Sequence, residues 1–178
     1  MTYEQVDPLF SVDLSDPEKP KILGKLKIPG FSEYLHFYGE DRLLGIGMST
    51  DEESGMAEGV KITMFDISDR SDVKEESTLV LDDLYGSHAA YDYKSVLADP
   101  EKNVIGLSGY SQNGESYYLL TYNRTDRKFE TILQEEVNGN TSQGIRGIYI
   151  EDTLYVISGN IIEAYDMNTG VKSGDIIL

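Results

Sequence analysis

The 178 residues carry 32 Asp and Glu against 15 Lys and Arg, a formal charge of −17, with 39% hydrophobic and 10% aromatic content. That is enough buriable surface for one folded domain, and the negative field argues against nucleic acid or an anionic membrane surface as a partner. The absence of Cys, with only His36 and His88, leaves no disulfide, no thiol chemistry and no Cys/His zinc site. No apolar run approaches the roughly 20 residues that cross a bilayer, and residues 1–10 lack the basic and apolar regions of an export signal.

In chain order, the first alternating run is PLFSVDLSD (8–16), followed by PKILGKLKI (20–28). Next come YLHFY (34–38) and RLLGIGM (42–48) around Gly-Glu-Asp, then VKITMFDISD (60–69) and VKEESTLVL (73–81). The third group is YKSVLAD (93–99), NVIGLSGY (103–110), YYLLTYNRTD (117–126) and KFETILQEEV (128–137). The fourth is IRGIYI (145–150), TLYVISG (153–159), IIEAYDMNTG (161–170) and VKSGDIIL (171–178). The short connections are Gly, Asp, Pro and Glu, residues that bend the chain or bond their own backbone. The segment 128–137 also fits a helical face through Phe129, Ile132, Leu133 and Val137, and its place among strands selects strand.

These groups repeat. Aligning them on Asp13, Asp66, Asn123 and Asp166 gives spacings of 53, 57 and 43 residues, which bracket the roughly 40 to 50 residues of a four-stranded propeller blade. The predicted fold is all-β, a β-propeller segment of four-stranded antiparallel blades in an incomplete ring. Its parts are a half blade (1–30) and three blades (31–83, 84–139 and 140–178). Three and a half blades fall short of the 4 to 8 of a closed ring. The outer strands carry Lys25, Lys27, Lys74, Glu75, Glu76, Glu135 and Glu136, expected as exposed charges that discourage edge pairing. The half blade leaves one edge of the 8–15 strand unpaired, and the last blade leaves one face uncovered, so the isolated segment is expected to self-associate.

The stretches at 2–36, 59–75, 89–97 and 146–158, above all DPLFSVDLSDPEKPKILGKLKIPGFSEYLH, resemble a family of bacterial secreted proteins with a C-terminal β-propeller domain distantly similar to WD40 repeats. The resemblance covers nearly the whole chain. It implies a location outside the cytoplasm or at the cell surface, a propeller that continues upstream, and no established catalysis. The chain departs from the family at Tyr93, where the Asp92-Tyr93-Lys94 motif is expected to carry His.

Inner strands of a propeller line its channel, so polar residues there are candidate ligand contacts. His36 and Arg146 stand at matched distances before Leu44 and Leu154, and Asp92 and Lys94 fall near the same level. His36, Asp92, Lys94 and Arg146 could together bind a carboxylate or sugar hydroxyls, or could pair with carboxylates of neighbouring blades. The loop at 49–59 carries Asp51, Glu52, Glu53 and Glu58, oxygen ligands of the kind calcium takes, without the spacing of a calcium loop. A solvated acidic loop is its other reading. No other cofactor is expected. Asp and Ser in the turns after the third strand of each repeat are expected to close those turns. No G-x-S-x-G elbow is present; Gly106-Leu107-Ser108-Gly109 ends a strand. The expected function is an extracellular binding or scaffolding module for a protein or glycan, and the alternative is a hydrolase using carboxylates at the channel mouth.

Overall fold

The computed structural model describes residues 8–51, 53–137 and 144–178. The chain divides into two compact units, residues 1–82 and 83–178.

In the first unit, β1 (Leu9–Asp13) and β2 (Lys21–Leu26) form an antiparallel hairpin. After it, β3 (Phe31–Phe37), β4 (Arg42–Thr50), β5 (Ala57–Asp66) and β6 (Lys74–Leu81) form one antiparallel sheet in sequence order. The near-continuous apolar runs of β4 and β5 are buried through Leu44, Ile46, Val60, Ile62, Met64 and Phe65. A strand buried on both faces has no polar face to alternate with, which is why the sequence there is not strictly periodic.

One expected edge charge proves to be internal. The Glu76 side chain is 2% exposed and receives Arg42 Nε at 2.6 Å and Nη2 at 3.0 Å. A carboxylate that accepts a two-pronged guanidinium can leave water, because its lone pairs are met by fixed donors.

In the second unit, β9 (Val104–Ser111), β10 (Gly114–Asn123) and β11 (Lys128–Glu136) pair in sequence order. The free edge of β9 takes two short strands, β7 (Leu84–Ser87) and β8 (Leu97–Asp99). The inner strand of this blade is therefore broken, and it begins at Leu84 rather than at Tyr93; Tyr93–Ser95 is a 3-10 turn. The segment with helical periodicity is strand β11, fixed by pairs such as Tyr122 with Phe129 and Leu119 with Leu133. A second sheet holds β12 (Ile145–Ile150), β13 (Thr153–Ser158), β14 (Ile161–Asp166) and β15 (Lys172–Ile177). Val104, Tyr117, Leu119 and Leu133 of the first sheet pack with Ile145, Leu154, Val156 and Tyr165 of the second to make the core of this unit.

The four-stranded antiparallel sheets bear out the predicted propeller-segment architecture. The repeated turns also form as the residues imply. Asp13 Oδ1 accepts Ser15 N at 2.9 Å, Asp66 Oδ1 accepts Ser68 N at 2.9 Å, Asn123 Oδ1 accepts Thr125 N at 3.0 Å and Asp166 Oδ1 accepts Asn168 N at 2.9 Å. Each short side chain meets a backbone N–H two residues on and replaces a ladder bond that the turn cannot make.

Candidate functional site

The break between β7 and β8 has local causes. Ser87 ends β7 and caps the 3-10 turn His88–Ala90, its Oγ accepting Ala89 N at 3.2 Å and donating to the Ser108 carbonyl at 3.0 Å. Asp92 caps the turn Tyr93–Ser95 in the same way, accepting Lys94 N at 3.0 Å on Oδ1. Ser95 Oγ donates to the Asp92 carbonyl at 2.7 Å. Two caps in six residues hold the chain off the edge of β9.

Beneath this excursion lies a buried polar brace. His88 Nδ1 is 3.0 Å from Ser108 Oγ, and Nε2 is 3.3 Å from Glu115 Oε2. Ser108 is wholly buried and His88 is 7% exposed. Glu115 Oε2 is buried without a hydrogen bond, so the imidazole nitrogen faces it at close range without an aligned bond. The His88 ring also lies 4.5 Å from that of Tyr110. Burial, then a hydrogen bond with the Tyr91 side chain, pushes the Tyr110 hydroxyl up to about 12.

Above the brace the aromatic rings reach solvent. Tyr85, Tyr91 and Tyr93 are 65%, 73% and 70% exposed. Tyr85 stacks near-parallel on Tyr110, with centroids 6.3 Å apart and planes at 22°. Lys94 Nζ sits 5.8 Å from the centre of the Tyr93 ring. A tyrosine face with a polar tip can take an apolar C–H surface and a hydrogen-bonding rim together.

Of the four predicted ligand residues, Asp92 and Lys94 belong to this excursion, on a 3-10 turn rather than a strand. Arg146 lies on β12, exposed, in register with Ile157. Its neighbours Ile145 and Gly147 face the core, so alternation turns Arg146 to the opposite side of the sheet. His36 lies in the other unit on β3, exposed, with its ring stacked on Tyr34 and Nδ1 3.2 Å from the Tyr34 hydroxyl. Neither Lys94 nor Arg146 has a carboxylate partner among the described residues.

The acidic loop engages its own backbone. Asp51 Oδ1 accepts Ser54 N and Ser54 Oγ, each at 2.7 Å, and Glu53 N at 3.2 Å, and these bonds hold its carboxyl below the usual range. Glu58 accepts Ser49 Oγ at 2.9 Å. Glu52 lies outside the described residues, and among those described no three acidic or histidine groups gather to hold a metal.

Polar residues on inner strands do not point to this group, because His88, Tyr91 and Tyr93 stand where the inner strand is interrupted and Ser108 and Glu115 stand on β9 and β10. The available signal is YGSHAAYDY (85–93), three tyrosines and a histidine among small residues. Lys61 is also unanticipated. It is buried in β5, donates to the Pro29 carbonyl, and is held below the usual lysine range by burial.

Comparison with known proteins places this geometry in a family. Residues 1–170 match the family described as Beta propeller domain. An uncharacterized protein of Archaeoglobus fulgidus is 39% identical over 178 residues, all of this chain and 26% of that protein. The Methanocaldococcus jannaschii protein MJ1554, also uncharacterized, is 33% identical over 168 residues, 94% of this chain and 24% of its own length. The chain thus spans about a quarter of the length of the curated relatives it matches. Both are archaeal, whereas the resemblance read from the sequence pointed to bacterial proteins. Among solved structures, Saccharomyces cerevisiae Sqt1 is similar with a TM-score of 0.58 at 15% identity, over 96% of this chain and 42% of that one. A proposed 6-phosphogluconolactonase of Bacteroides uniformis has a TM-score of 0.58 at 14% identity, over 98% of this chain and 49% of that one. At such identities the likeness shows the fold alone. With the four-stranded sheets and the family match in agreement, the chain belongs to the β-propeller domain family.

Proposed function

We propose that this chain is a binding or scaffolding module of a longer protein that acts outside the cytoplasm, and that the excursion at residues 85–96 presents its contact surface to a protein or glycan. The propeller fold supports a generic binding role. The observation that carries the reading is the set of exposed tyrosines, Tyr85, Tyr91 and Tyr93, in the nine residues around the buried His88, with Tyr85 stacked on the Tyr110 ring that His88 lies against. Exposed aromatic groups on a fixed frame lose little entropy on contact, which is the economy of a binding surface. The location rests on the family resemblance.

A hydrolase has one point in its favour and a stronger one against. Ser108, His88 and Glu115 stand in the order nucleophile, base and acid. Ser108 has no exposed surface, so a carbonyl carbon cannot approach its Oγ without unfolding the brace. The three groups are better read as the support of the tyrosines than as a reaction centre.

The test is tyrosine nitration with tetranitromethane, read residue by residue by mass spectrometry, in the presence of glycan and peptide probes. Protection confined to Tyr85, Tyr91 and Tyr93 is the expected result. Protection elsewhere on the chain, or none with any probe, refutes the assignment.

A further inference from the structure

We propose that the tyrosine platform of residues 85–93 binds an uncharged glycan, with sugar rings stacked on Tyr85, Tyr91 and Tyr93. The inference rests on the binding reading above and names its ligand class.

Two kinds of exposed apolar surface occur in the second unit, and they differ in chemistry. The sheet of β12 to β15 exposes aliphatic groups, among them Ile148, Ile150 and Ile176. In the sheet of β7 to β11, the large exposed apolar residues among those described are Tyr85, Tyr91 and Tyr93. A protein interface of standard size covers roughly 800 Å² per partner around a desolvated apolar centre. Three tyrosines within nine residues, with no exposed aliphatic companion on their own sheet, make a smaller and more polar contact. A pyranose fits that description, since its face is C–H and its rim is hydroxyl, matching an aromatic face with a hydroxyl tip.

Charge narrows the class. A chain with a formal charge of −17 repels polyanions at long range. Within the excursion, Lys94 and Asp92 oppose one another in sign, so the platform adds no net cationic attraction. Sugars bearing uronate, sulfate or phosphate are therefore disfavoured, and neutral ones are not. Asp92 and Lys94 beside Tyr93 supply an acceptor and a donor for sugar hydroxyls.

The platform is also pre-set. Tyr110 holds Tyr85 by stacking, His88 lies against the Tyr110 ring, and the Tyr91 backbone N–H donates to the His88 carbonyl at 3.1 Å. Groups already ordered in the free protein give up less freedom when a ligand arrives.

The experiment titrates the whole chain with cellohexaose, chitohexaose and mannohexaose, and with polygalacturonate as the charged comparison. The readout is near-ultraviolet difference absorbance, which reports tyrosine because the chain has no Trp. Binding of at least one neutral hexasaccharide is expected, weakened roughly tenfold by Tyr91→Ala or Tyr93→Ala. Tyr93→Phe, which keeps the ring, should bind within about threefold of the parent. Ile150→Ala, on the other sheet, should change nothing. Circular dichroism of each variant confirms that it is folded. The inference is overturned if no neutral hexasaccharide binds at millimolar concentration, if polygalacturonate binds better, or if both Tyr→Ala variants bind as the parent does. A dodecapeptide selected from a randomised phage library that protects Tyr91 and Tyr93 from nitration, with no glycan doing so, would overturn the glycan inference and leave the binding reading standing. Protection by neither class would end both.

Discussion

A double-mutant cycle at Gly106 and Tyr117 tests the packing that joins the two sheets of the second unit. Tyr117 on β10 is wholly buried, and its hydroxyl has no hydrogen-bond partner. The phenol tip occupies the space left by two glycines. A Cβ on Gly147 would lie 1.8 Å from Tyr117 Oη, and one on Gly106 would lie 2.1 Å from it. Gly106→Ala therefore forces the phenol or the strand to move by about 1 Å, an overpacking that costs about 1–3 kcal/mol. Tyr117→Phe removes an unpaired buried hydroxyl and should raise stability by about 1 kcal/mol. In that background the new Cβ meets Tyr117 Cζ at 3.0 Å and Leu97 Cβ at 3.1 Å, a clash relieved by a few tenths of an ångström. The two changes should thus couple by about 1–2 kcal/mol, the double variant being more stable than the single costs predict. Urea unfolding followed by circular dichroism measures all four proteins. Equal costs of Gly106→Ala in both backgrounds, or a loss of stability on Tyr117→Phe, would refute the reasoning.

Breaking the buried Arg42–Glu76 pair with Glu76→Ala should cost about 3–5 kcal/mol in the first unit, and Arg42→Met with Glu76→Leu together should recover most of it; a loss under about 1 kcal/mol by urea midpoint would contradict the burial of that carboxylate. At high pH the chain should weaken, because burial raises the hydroxyls of Tyr110, Tyr117 and Tyr165 above the ordinary value of 10.0. The unfolded chain then loses its protons first, so stability is full below about pH 10 and falls above it, by about 1.4 kcal/mol per pH unit for each tyrosine still protonated in the fold. A single phenolate transition for all 13 tyrosines, with no fall in stability, would argue against this. Finally, the uncovered face of the last sheet, with Ile150 at 62% and Ile176 at 60% exposure, should make the isolated chain associate at micromolar concentration by light scattering, and Ile148→Lys with Ile150→Lys should return it to monomer.

The repeat was legible because each copy spends its signal locally. Asp13, Asp66, Asn123 and Asp166 close turns with their own backbone, so residue type alone reports their position. Strand β11 was ambiguous by periodicity because it is an outer strand with little of its surface buried, and only pairing with β10 settles it. The internal position of Glu76 could not be read, since burial depends on Arg42, 34 residues away in sequence. The site was half legible. The alternation of residues 93–99 predicts an inner strand beside Asp92 and Lys94, whereas the strand starts at Leu84 and is interrupted after Ser87, a break that period-2 alternation does not report. Arg146 was placed on the right strand, but which side of β12 faces the core depends on Gly147 admitting the Tyr117 hydroxyl.

The place of the interruption follows from the economy of the sheet. β9 keeps β10 on one side in unbroken register from Ser111 to Ile105, so the chain can leave its other edge without dissolving the blade. A break in β10 would strand hydrogen bonds on both sides. At the gap, Ser108 would otherwise face an unpaired edge. Its carbonyl instead accepts Ser87 Oγ, and its hydroxyl meets His88 Nδ1. The Ser87 side chain thus takes over a backbone bond that the missing strand would have made, and His88 gives the buried Ser108 hydroxyl a partner. The same two residues launch the excursion, so the device that repairs the edge also leads the chain to the exposed Tyr91. Repair and presentation are one structure, which is why His88 and Ser108 are buried although the surface they serve is exposed.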